Sequence, residues 1–446
     1  MILKKNDLAI PVLKTFVLRI SREKGRVLSD WAWTALGQLA AAAGFLAGMR
    51  LMTQYVRPDV FGTVSLLLGT ATLLTATFCA PFIEAALRFY PDAARDGQVP
   101  LLREVTNSFL IRSAKALSPV VGAAGLLLFF LYREKTAFLM AMASLCGLLV
   151  VDAVKAKERN FLNAGRRQKA MAVWLATDTW ARFLGAIIMV LVFGSSTGSV
   201  LSGYLAGSLL LLAFFYFRKG SGLARAVAPS TMEEKKANLP DEIRRYAIPI
   251  IPMAIVGWIA SLGDRYIISA LSGLEQVGIY SASYGLVSRP FLMAGGVIEQ
   301  TLRPLYFEAV SAGDKAREKK TFFALLSATV LASLCLVAVI TLMRREIAGL
   351  LLERRYSAGA DLIPWIALGY AFLVVSYVFE KICYAYKKTK SVFFAQSAGA
   401  AASLGAGIPM ICHYGLLGAS MAVPVYFGIQ LAVSAVMARQ ALKGAG

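Results

Sequence analysis

Residues 83–88 read Ile-Glu-Ala-Ala-Leu-Arg, and residues 298–303 read Ile-Glu-Gln-Thr-Leu-Arg. The two stretches share the pattern I-E-x-x-L-R, and a separation of about 215 positions recurs in other pairs of matching segments. At the same shift, Gly-Met-Arg at 48–50 matches Gly-Asp-Arg at 263–265. Because the matches keep their order along the chain, they indicate an internal duplication. The sequence therefore predicts two related halves.

The composition predicts that both halves lie in a membrane. Of 446 residues, 58% are apolar and 16% are charged, whereas a soluble domain has about 25% charged residues. A spanning helix needs about 20 apolar residues, and lipid leaves the backbone no hydrogen-bond partner outside the helix. The predicted spans lie at 30–54, 60–86, 112–131, 137–154, 170–193, 198–217, 246–271, 276–301, 321–343, 362–380, 391–412 and 414–438.

Each half then contains an even number of spans, so both enter the membrane in the same direction. We predict an all-α polytopic membrane protein with 12 transmembrane helices in two parallel-related six-helix lobes around a central cavity. The predicted segments are a cytoplasmic basic tail (1–28), an N-terminal lobe (29–217), a cytoplasmic inter-lobe linker (218–244), a C-terminal lobe (245–438) and a cytoplasmic tail (439–446). A short amphipathic helix on the membrane surface is the alternative for 1–28.

The distribution of basic residues predicts the orientation. Most of the 47 Lys and Arg residues fall in the terminal segments and in every second connection between spans. These segments all lie on the same side of the membrane in the predicted topology. The positive-inside rule therefore places both termini in the cytoplasm. The net charge is +21. The basic residues are distributed over alternate connections rather than gathered on one face of the protein, which argues against a nucleic-acid partner.

The sequence lacks the residue patterns that metal binding and nucleotide hydrolysis require. The five cysteines show no CxxC spacing, the single histidine is His413, and no G-x-x-x-x-G-K-[ST] phosphate loop is present. We therefore predict no metal site, no cofactor and no enzyme. A proton or sodium gradient is the candidate energy source.

Four arginines near or inside the predicted spans are candidates for binding an anionic substrate: Arg289, Arg182, Arg265 and Arg50. A charge at bilayer depth costs at least about 2.5 kcal/mol, so such residues usually face a bundle interior or a wet cavity. The guanidinium fork can bind phosphate or carboxylate in a bidentate manner. Arg289 has no acidic residue within one turn and is the best single candidate.

Structural roles remain open for the other charged residues. Asp178 could pair with Arg182 at i,i+4, and Arg50 could extend to the outer interface. Adjacent Asp264 and Arg265 point about 100° apart, so at most one faces a given direction. The i,i+4 pairs Glu84 with Arg88 and Glu299 with Arg303 would clamp cytoplasmic helix ends. The carboxylates of Asp178, Asp264 and Glu299 could instead couple an ion gradient.

Four diffuse motifs suggest a family. They are P-x-x-F-G-x-x-S at 58–65, G-D-R followed by V-G-I-Y-S within 263–281, E-R-R-Y-S-A-G-A-D-L-I-P at 353–364, and Y-G-L-L-G-A at 414–419. With them the chain resembles, from about residue 29 to 438, Wzx-like polysaccharide flippases of the multidrug/oligosaccharidyl-lipid/polysaccharide (MOP) exporter superfamily.

The resemblance implies a V-shaped pair of lobes in the bacterial inner membrane. It also implies alternating access, in which a polyprenyl-pyrophosphate-linked oligosaccharide moves from the cytoplasmic to the periplasmic leaflet through a cationic cavity. The expected partners are this glycan, membrane lipids, a polysaccharide polymerase and chain-length proteins, and the expected state is a monomer.

Two other functions are considered. A cation-coupled multidrug antiporter of the same superfamily often has a carboxylate within the first span, and here only Asp30 lies at its boundary. A non-transport subunit of a polysaccharide assembly complex would leave the intramembrane arginines unexplained. The sequence therefore favours an anionic substrate.

Overall fold

The computed structural model describes residues 9–131, 135–165, 167–218 and 233–443. Within these ranges all regular structure is helical. Fourteen α-helices form, with short 3-10 segments at Ile248–Ile250 and Arg354–Asp361: α1 (Ala9–Tyr55), α2 (Pro58–Phe78), α3 (Ala80–Arg95), α4 (Val99–Leu131), α5 (Lys135–Ala164), α6 (Gln168–Phe193), α7 (Thr197–Arg218), α8 (Glu233–Ala247), α9 (Ile251–Ser272), α10 (Leu274–Ser311), α11 (Lys315–Leu342), α12 (Arg344–Leu351), α13 (Ile363–Ala385) and α14 (Thr389–Lys443).

The helices confirm an all-α polytopic membrane protein. Among the described residues, nine helices are long and apolar enough to cross a membrane, including the 55-residue α14. α14 contains the predicted spans 391–412 and 414–438, and Gly415, near the boundary between them, interrupts the helix with a φ of 57° and a ψ of −132°. The total of twelve spans stays a prediction.

The predicted span 60–86 is not one continuous helix. α2 ends at Phe78, Cys79 lies between the helices, and α3 begins at Ala80. Pro81 has no backbone N–H to donate to Thr77, so the hydrogen-bond ladder is interrupted there. The sequence contains this proline, but an ordinary kink within one helix and a break between two helices look the same at that level.

The helices pack as two lobes. We call α1–α7 the N-lobe and α9–α14 the C-lobe. Met52, Val64 and Leu201 are buried in the N-lobe core, and Tyr280 and Tyr426 are buried in the C-lobe core. Burial of such side chains contributes about 1.5–3 kcal/mol each in water, although in lipid close packing supplies more of this stabilisation.

The predicted linker 218–244 is partly helical. α8 begins at Glu233 and buries Ile243 and Ala247 against the N-lobe residues Leu102 and Val105. Residues 219–232 of the predicted linker lie outside the described residues, as do 1–8 and 444–446 of the predicted tails. α1 begins at Ala9, within the segment 1–28 predicted as a tail.

α2 and α10 hold the lobes together at the end that the charge distribution assigns to the outside. They approach so closely that a Cβ on Gly62 would overlap the Leu274 carbonyl, and a Cβ on Gly278 would overlap the Pro58 carbonyl. The contact is reciprocal, as expected for repeat-related helices that meet on a pseudo-two-fold axis. Next to it, Ser65 Oγ donates to Ser281 Oγ at 2.9 Å.

A second set of inter-lobe hydrogen bonds closes the same end. The segment 352–356 of the C-lobe contacts residues 50–56 at the end of α1. Arg50 donates to the Leu352 carbonyl, Thr53 Oγ1 accepts from Glu353 N at 3.2 Å, and Tyr356 OH donates to the Val56 carbonyl at 3.0 Å. We call these contacts the outer latch. It contains the first residues of the 353–364 motif.

Within the outer latch, Glu353 is itself held by its neighbour. Arg355 donates its backbone N–H to the Glu353 carboxylate at 2.8 Å and its Nε–H at 3.0 Å. These contacts hold the pKa of the Glu353 carboxyl below its ordinary value. The guanidinium Nη2 of Arg355 also donates to the Gln54 carbonyl at 3.0 Å, so this ion pair orients a bond between the lobes.

The orientation of the bundle is testable by cysteine labelling. Ser195, between α6 and α7, and Ala312, between α10 and α11, are both exposed. In a background without native cysteines, we expect an impermeant maleimide added to intact cells to label Ser195→Cys and not Ala312→Cys. Permeabilised cells should show labelling of both. Labelling of both in intact cells would contradict the predicted topology.

Candidate functional site

A cavity of about 740 Å³ lies between the lobes, below the outer latch. Its walls come from α1, α2, the first residue of α3, α5, α6 and α7 of the N-lobe and from α9 and α10 of the C-lobe. The two carboxylates and five cations among the described residues that line it have a formal net charge of +3: Asp152, Lys155, Arg159, Asp178, Arg182, Arg265 and Arg289.

The N-lobe wall contains a network of paired charges. Lys155 Nζ lies 2.6 Å from Asp178 Oδ1 and 3.1 Å from Asp152 Oδ1. Arg182 Nη1 lies 3.3 Å from Asp152 Oδ1. The i,i+4 pair of Asp178 with Arg182 considered from the sequence is therefore not the pairing that forms, because α5 places Lys155 and Asp152 between them.

Arg289 on the C-lobe wall is exposed to the cavity. Its Cζ lies 4.3 Å from the ring centroid of Phe45 on α1, a cation–π contact across the two lobes. In the part of the chain that the structure describes, no carboxylate forms an ion pair with Arg289. Its hydrogen-bond donors are therefore available to an anion in the cavity.

Arg265 lines the cavity near the point where α2 and α10 meet, but is only 7% exposed. Its Nε donates to Ser281 Oγ at 3.1 Å, and its Nη1 donates to the Ser261 carbonyl at 3.1 Å. Asp264 points away from the cavity and accepts a hydrogen bond from Tyr280 OH at 2.5 Å. Arg265 is thus held in place by the protein, whereas Arg289 is the more accessible cation.

The remaining predicted site residues lie outside the cavity. Arg50 belongs to the outer latch. Arg88 lies 3.8 Å from Asp92 rather than pairing with Glu84, whose Oε1 accepts from Asn160 at 3.4 Å. The expected Glu84–Arg88 clamp is therefore wrong, because each partner finds a closer group in the folded protein.

Glu299 and Arg303 lie at the opposite end of α10 from the outer latch. Arg303 Nη1 is 3.0 Å from Glu299 Oε1, and Lys381 Nζ approaches the same oxygen at 2.8 Å. Glu299 lines a separate C-lobe pocket of about 130 Å³ with Lys381 and Tyr377. These residues therefore do not contribute to the inter-lobe cavity.

Asp152, Lys155 and Arg159 line the cavity but were assigned by sequence to the end of a span and the connection after it. α5 in fact continues to Ala164. Leu149, Asp152, Ala156 and Arg159 all line the cavity, and their spacing of three or four residues marks one face of a helix. This spacing is visible in the sequence and could have identified α5 as a wall of the cavity.

The arrangement suits the binding of an anion. Five cations surround one cavity while two carboxylates are already paired with Lys155 and Arg182. A positive cavity with low-dielectric walls concentrates anionic ligands. Threonines at 72, 75 and 179 add hydroxyl groups to the lining, and these can form hydrogen bonds with a polar substrate.

The chain resembles known proteins in sequence and in fold. Residues 27–310 match a family model described as "Polysaccharide biosynthesis protein". No curated protein matches the sequence at a significant level.

Three solved structures illustrate the similarity of fold. A multidrug resistance MATE family transporter of the MOP superfamily, inward-facing, aligns with a TM-score of 0.70 and 13% identity over 92% of this chain and 95% of that chain. The lipid II flippase MurJ, inward closed, aligns with a TM-score of 0.66 and 15% identity over 90% and 86%. A MOP superfamily transporter from Pyrococcus furiosus aligns with a TM-score of 0.54 and 14% identity over 94% and 92%. At these identities the similarity establishes a shared two-lobe fold.

Proposed function

The chain belongs to the polysaccharide biosynthesis protein family, and we propose that it is a flippase for a polyprenyl-pyrophosphate-linked oligosaccharide. In this proposal the two lobes rock about their contact, and the glycan crosses from the cytoplasmic to the periplasmic leaflet of the bacterial inner membrane. The pyrophosphate is held in the inter-lobe cavity while the lipid tail stays in the bilayer.

The proposal rests mainly on Arg289, whose guanidinium group is available to bind an anion. The guanidinium faces a cavity of net charge +3 and has no carboxylate partner among the described residues. A pyrophosphate bears several negative charges, and arginine can bind its oxygens in pairs. Arg182 faces the same cavity from the N-lobe, so an anion between the two would contact both lobes.

A cation-coupled multidrug antiporter is the second candidate, because a MATE family transporter shares the fold. A cationic drug would enter a cavity whose C-lobe wall presents Arg265 and Arg289 and no carboxylate among the described lining residues. Like charges in a site of reduced dielectric repel strongly. The charge of the cavity therefore favours the anionic substrate.

Replacement of Arg289 by alanine tests the proposal. We expect Arg289→Ala to reduce transport of a lipid-linked oligosaccharide in reconstituted vesicles by at least about tenfold, because a charge-assisted hydrogen bond contributes about 1.5–3 kcal/mol. Transport is measured as the appearance of the glycan at the opposite leaflet, with the amount of folded protein determined by size-exclusion chromatography.

Arg112→Ala is the matched control. Arg112 also stacks on a phenylalanine, with its Cζ 5.8 Å from the Phe109 ring centroid, but it does not line the cavity. We expect Arg112→Ala to transport at the wild-type rate. Equal transport by Arg289→Ala and wild type would remove Arg289 from the proposal, and transport of a lipophilic cation instead of the glycan would favour the antiporter.

The energy source is part of the same proposal. A proton or sodium gradient would act through carboxylates, and two of the coupling candidates predicted from the sequence, Asp178 and Asp264, lie in or beside the cavity walls. In vesicles with each gradient imposed separately, we expect one of them to accelerate glycan transport. Rates that are independent of both gradients would indicate facilitated movement without ion coupling.

A further inference from the structure

Lys155 occupies an unusual position for a lysine in a membrane protein. Its side chain is only 5% exposed, and it forms ion pairs with both carboxylates that line the inter-lobe cavity, Asp152 and Asp178. Its Nζ also donates to Ser208 Oγ on α7 at 3.0 Å. A buried cation of this kind is costly unless its surroundings satisfy it fully, and here three side chains do so.

The two carboxylates depend on Lys155 to different degrees. Asp152 also pairs with Arg182 at 3.3 Å, whereas the ion pair of Asp178 is with Lys155 alone among the described residues. The side chains of Asp152 and Asp178 are 32% and 20% exposed, so both face the cavity in part. Without Lys155, Asp178 would present an uncompensated negative charge to any ligand there.

From this geometry we propose that Lys155 determines the charge selectivity of the cavity, by neutralising the carboxylates of the N-lobe wall so that a phosphate-bearing ligand can approach Arg182 and Arg289. The inference rests on the proposed function, because the selected ligand is the pyrophosphate group. It assigns to Lys155 no direct contact with the ligand. Lys155 acts through Asp178.

Lys155→Met is the primary test, because methionine keeps much of the length of the side chain without its charge. Binding of two probes to the purified full-length protein in detergent is measured: farnesyl pyrophosphate as the anion and tetraphenylphosphonium as the cation. A change of one unit charge about 10 Å from a singly charged ligand, at an effective dielectric constant of about 20, alters affinity by about tenfold, and the effect is larger for a multiply charged pyrophosphate. We expect the variant to bind farnesyl pyrophosphate at least about tenfold more weakly and tetraphenylphosphonium more tightly.

The double variant Lys155→Met with Asp178→Asn separates charge selectivity from a loss of structure. Once the uncompensated carboxylate is removed, we expect both affinities to return to within about threefold of wild type, since the local charge is restored. Asp178→Asn alone should strengthen binding of farnesyl pyrophosphate. Ser208→Ala removes a hydrogen bond of Lys155 without changing any charge and should leave both affinities unchanged.

Three results would overturn the inference: Lys155→Met without effect on either probe, a double variant that fails to recover, or Ser208→Ala that reproduces the loss. If the wild-type protein does not bind farnesyl pyrophosphate, the proposed function fails, and the tetraphenylphosphonium series decides the role of Lys155 independently. A gain in Lys155→Met that disappears in the double variant would then support the charge selectivity.

Discussion

Oxidation of a Ser65→Cys, Ser281→Cys double variant should reduce transport to less than a tenth of the wild-type rate, and reduction should restore it. The two hydroxyl oxygens are 2.9 Å apart across the lobe interface, so cysteine sulfurs at these positions need to approach by only about 1 Å to form an S–S bond of about 2.05 Å. A bond at this point would hold α2 against α10 at the predicted outer end. If the lobes must separate there in each cycle, the locked protein cannot release its substrate. Transport is measured in vesicles made from a variant without the five native cysteines.

A disulfide within one lobe is the control for oxidation itself. Ser196 and Ser199 at the beginning of α7 have their hydroxyl oxygens 2.8 Å apart, and both belong to the N-lobe. We expect the oxidised Ser196→Cys, Ser199→Cys variant to transport normally, because its cross-link does not join the lobes. Full transport by the oxidised inter-lobe variant, with cross-linking verified by mass spectrometry, would show that the outer end need not open at Ser65.

The fold could be predicted from the sequence to a large extent, because lipid restricts the backbone to helices and the apolar stretches are long. The duplication that relates Arg50 to Arg265 and Glu84 to Glu299 in sequence predicted two related lobes. The repeat-related residues nevertheless have different contacts: Arg50 joins the outer latch, whereas Arg265 lines the cavity. Sequence symmetry therefore predicted the architecture but not the role of each copy.

The cavity could be predicted only in part. Arg289, Arg182 and Arg265 were identified because they interrupt apolar stretches. Lys155 and Asp152 were missed because they lie near the end of the apolar part of α5. From the sequence alone, a charged residue at such a position cannot be told from a residue of the following loop. Which carboxylate pairs with which cation depends on the packing of α5 against α6, and i,i+4 spacing within a single helix cannot report such contacts.

The second large effect is expected from substitutions at the close contact between α2 and α10. Gly62→Ala and Gly278→Ala each place a Cβ on a backbone carbonyl of the opposite helix, Leu274 and Pro58 respectively. Neither carbonyl can move without displacing its helix, and overpacking of this kind costs about 1–3 kcal/mol. Combined, the two substitutions should shift the balance between closed and open outer ends by about tenfold or more. We expect transport to fall correspondingly, and an impermeant maleimide to label a cysteine at Phe61 more rapidly from outside.

Gly296→Ala on the same helix α10 and Gly257→Ala on α9 distinguish this steric effect from a general effect of alanine. Beyond the adjoining residues and backbone of its own helix, neither position has a described atom within 4 Å of the added Cβ, while both substitutions gain the greater helix propensity of alanine, about 1 kcal/mol. We expect the two controls to retain transport and slow labelling. If Gly62→Ala with Gly278→Ala behaved like them, the lobes could separate slightly without cost, and closure of the outer end would have to depend on the hydrogen bonds of the outer latch. The Tyr356 OH bond to the Val56 carbonyl would then be the contact to remove.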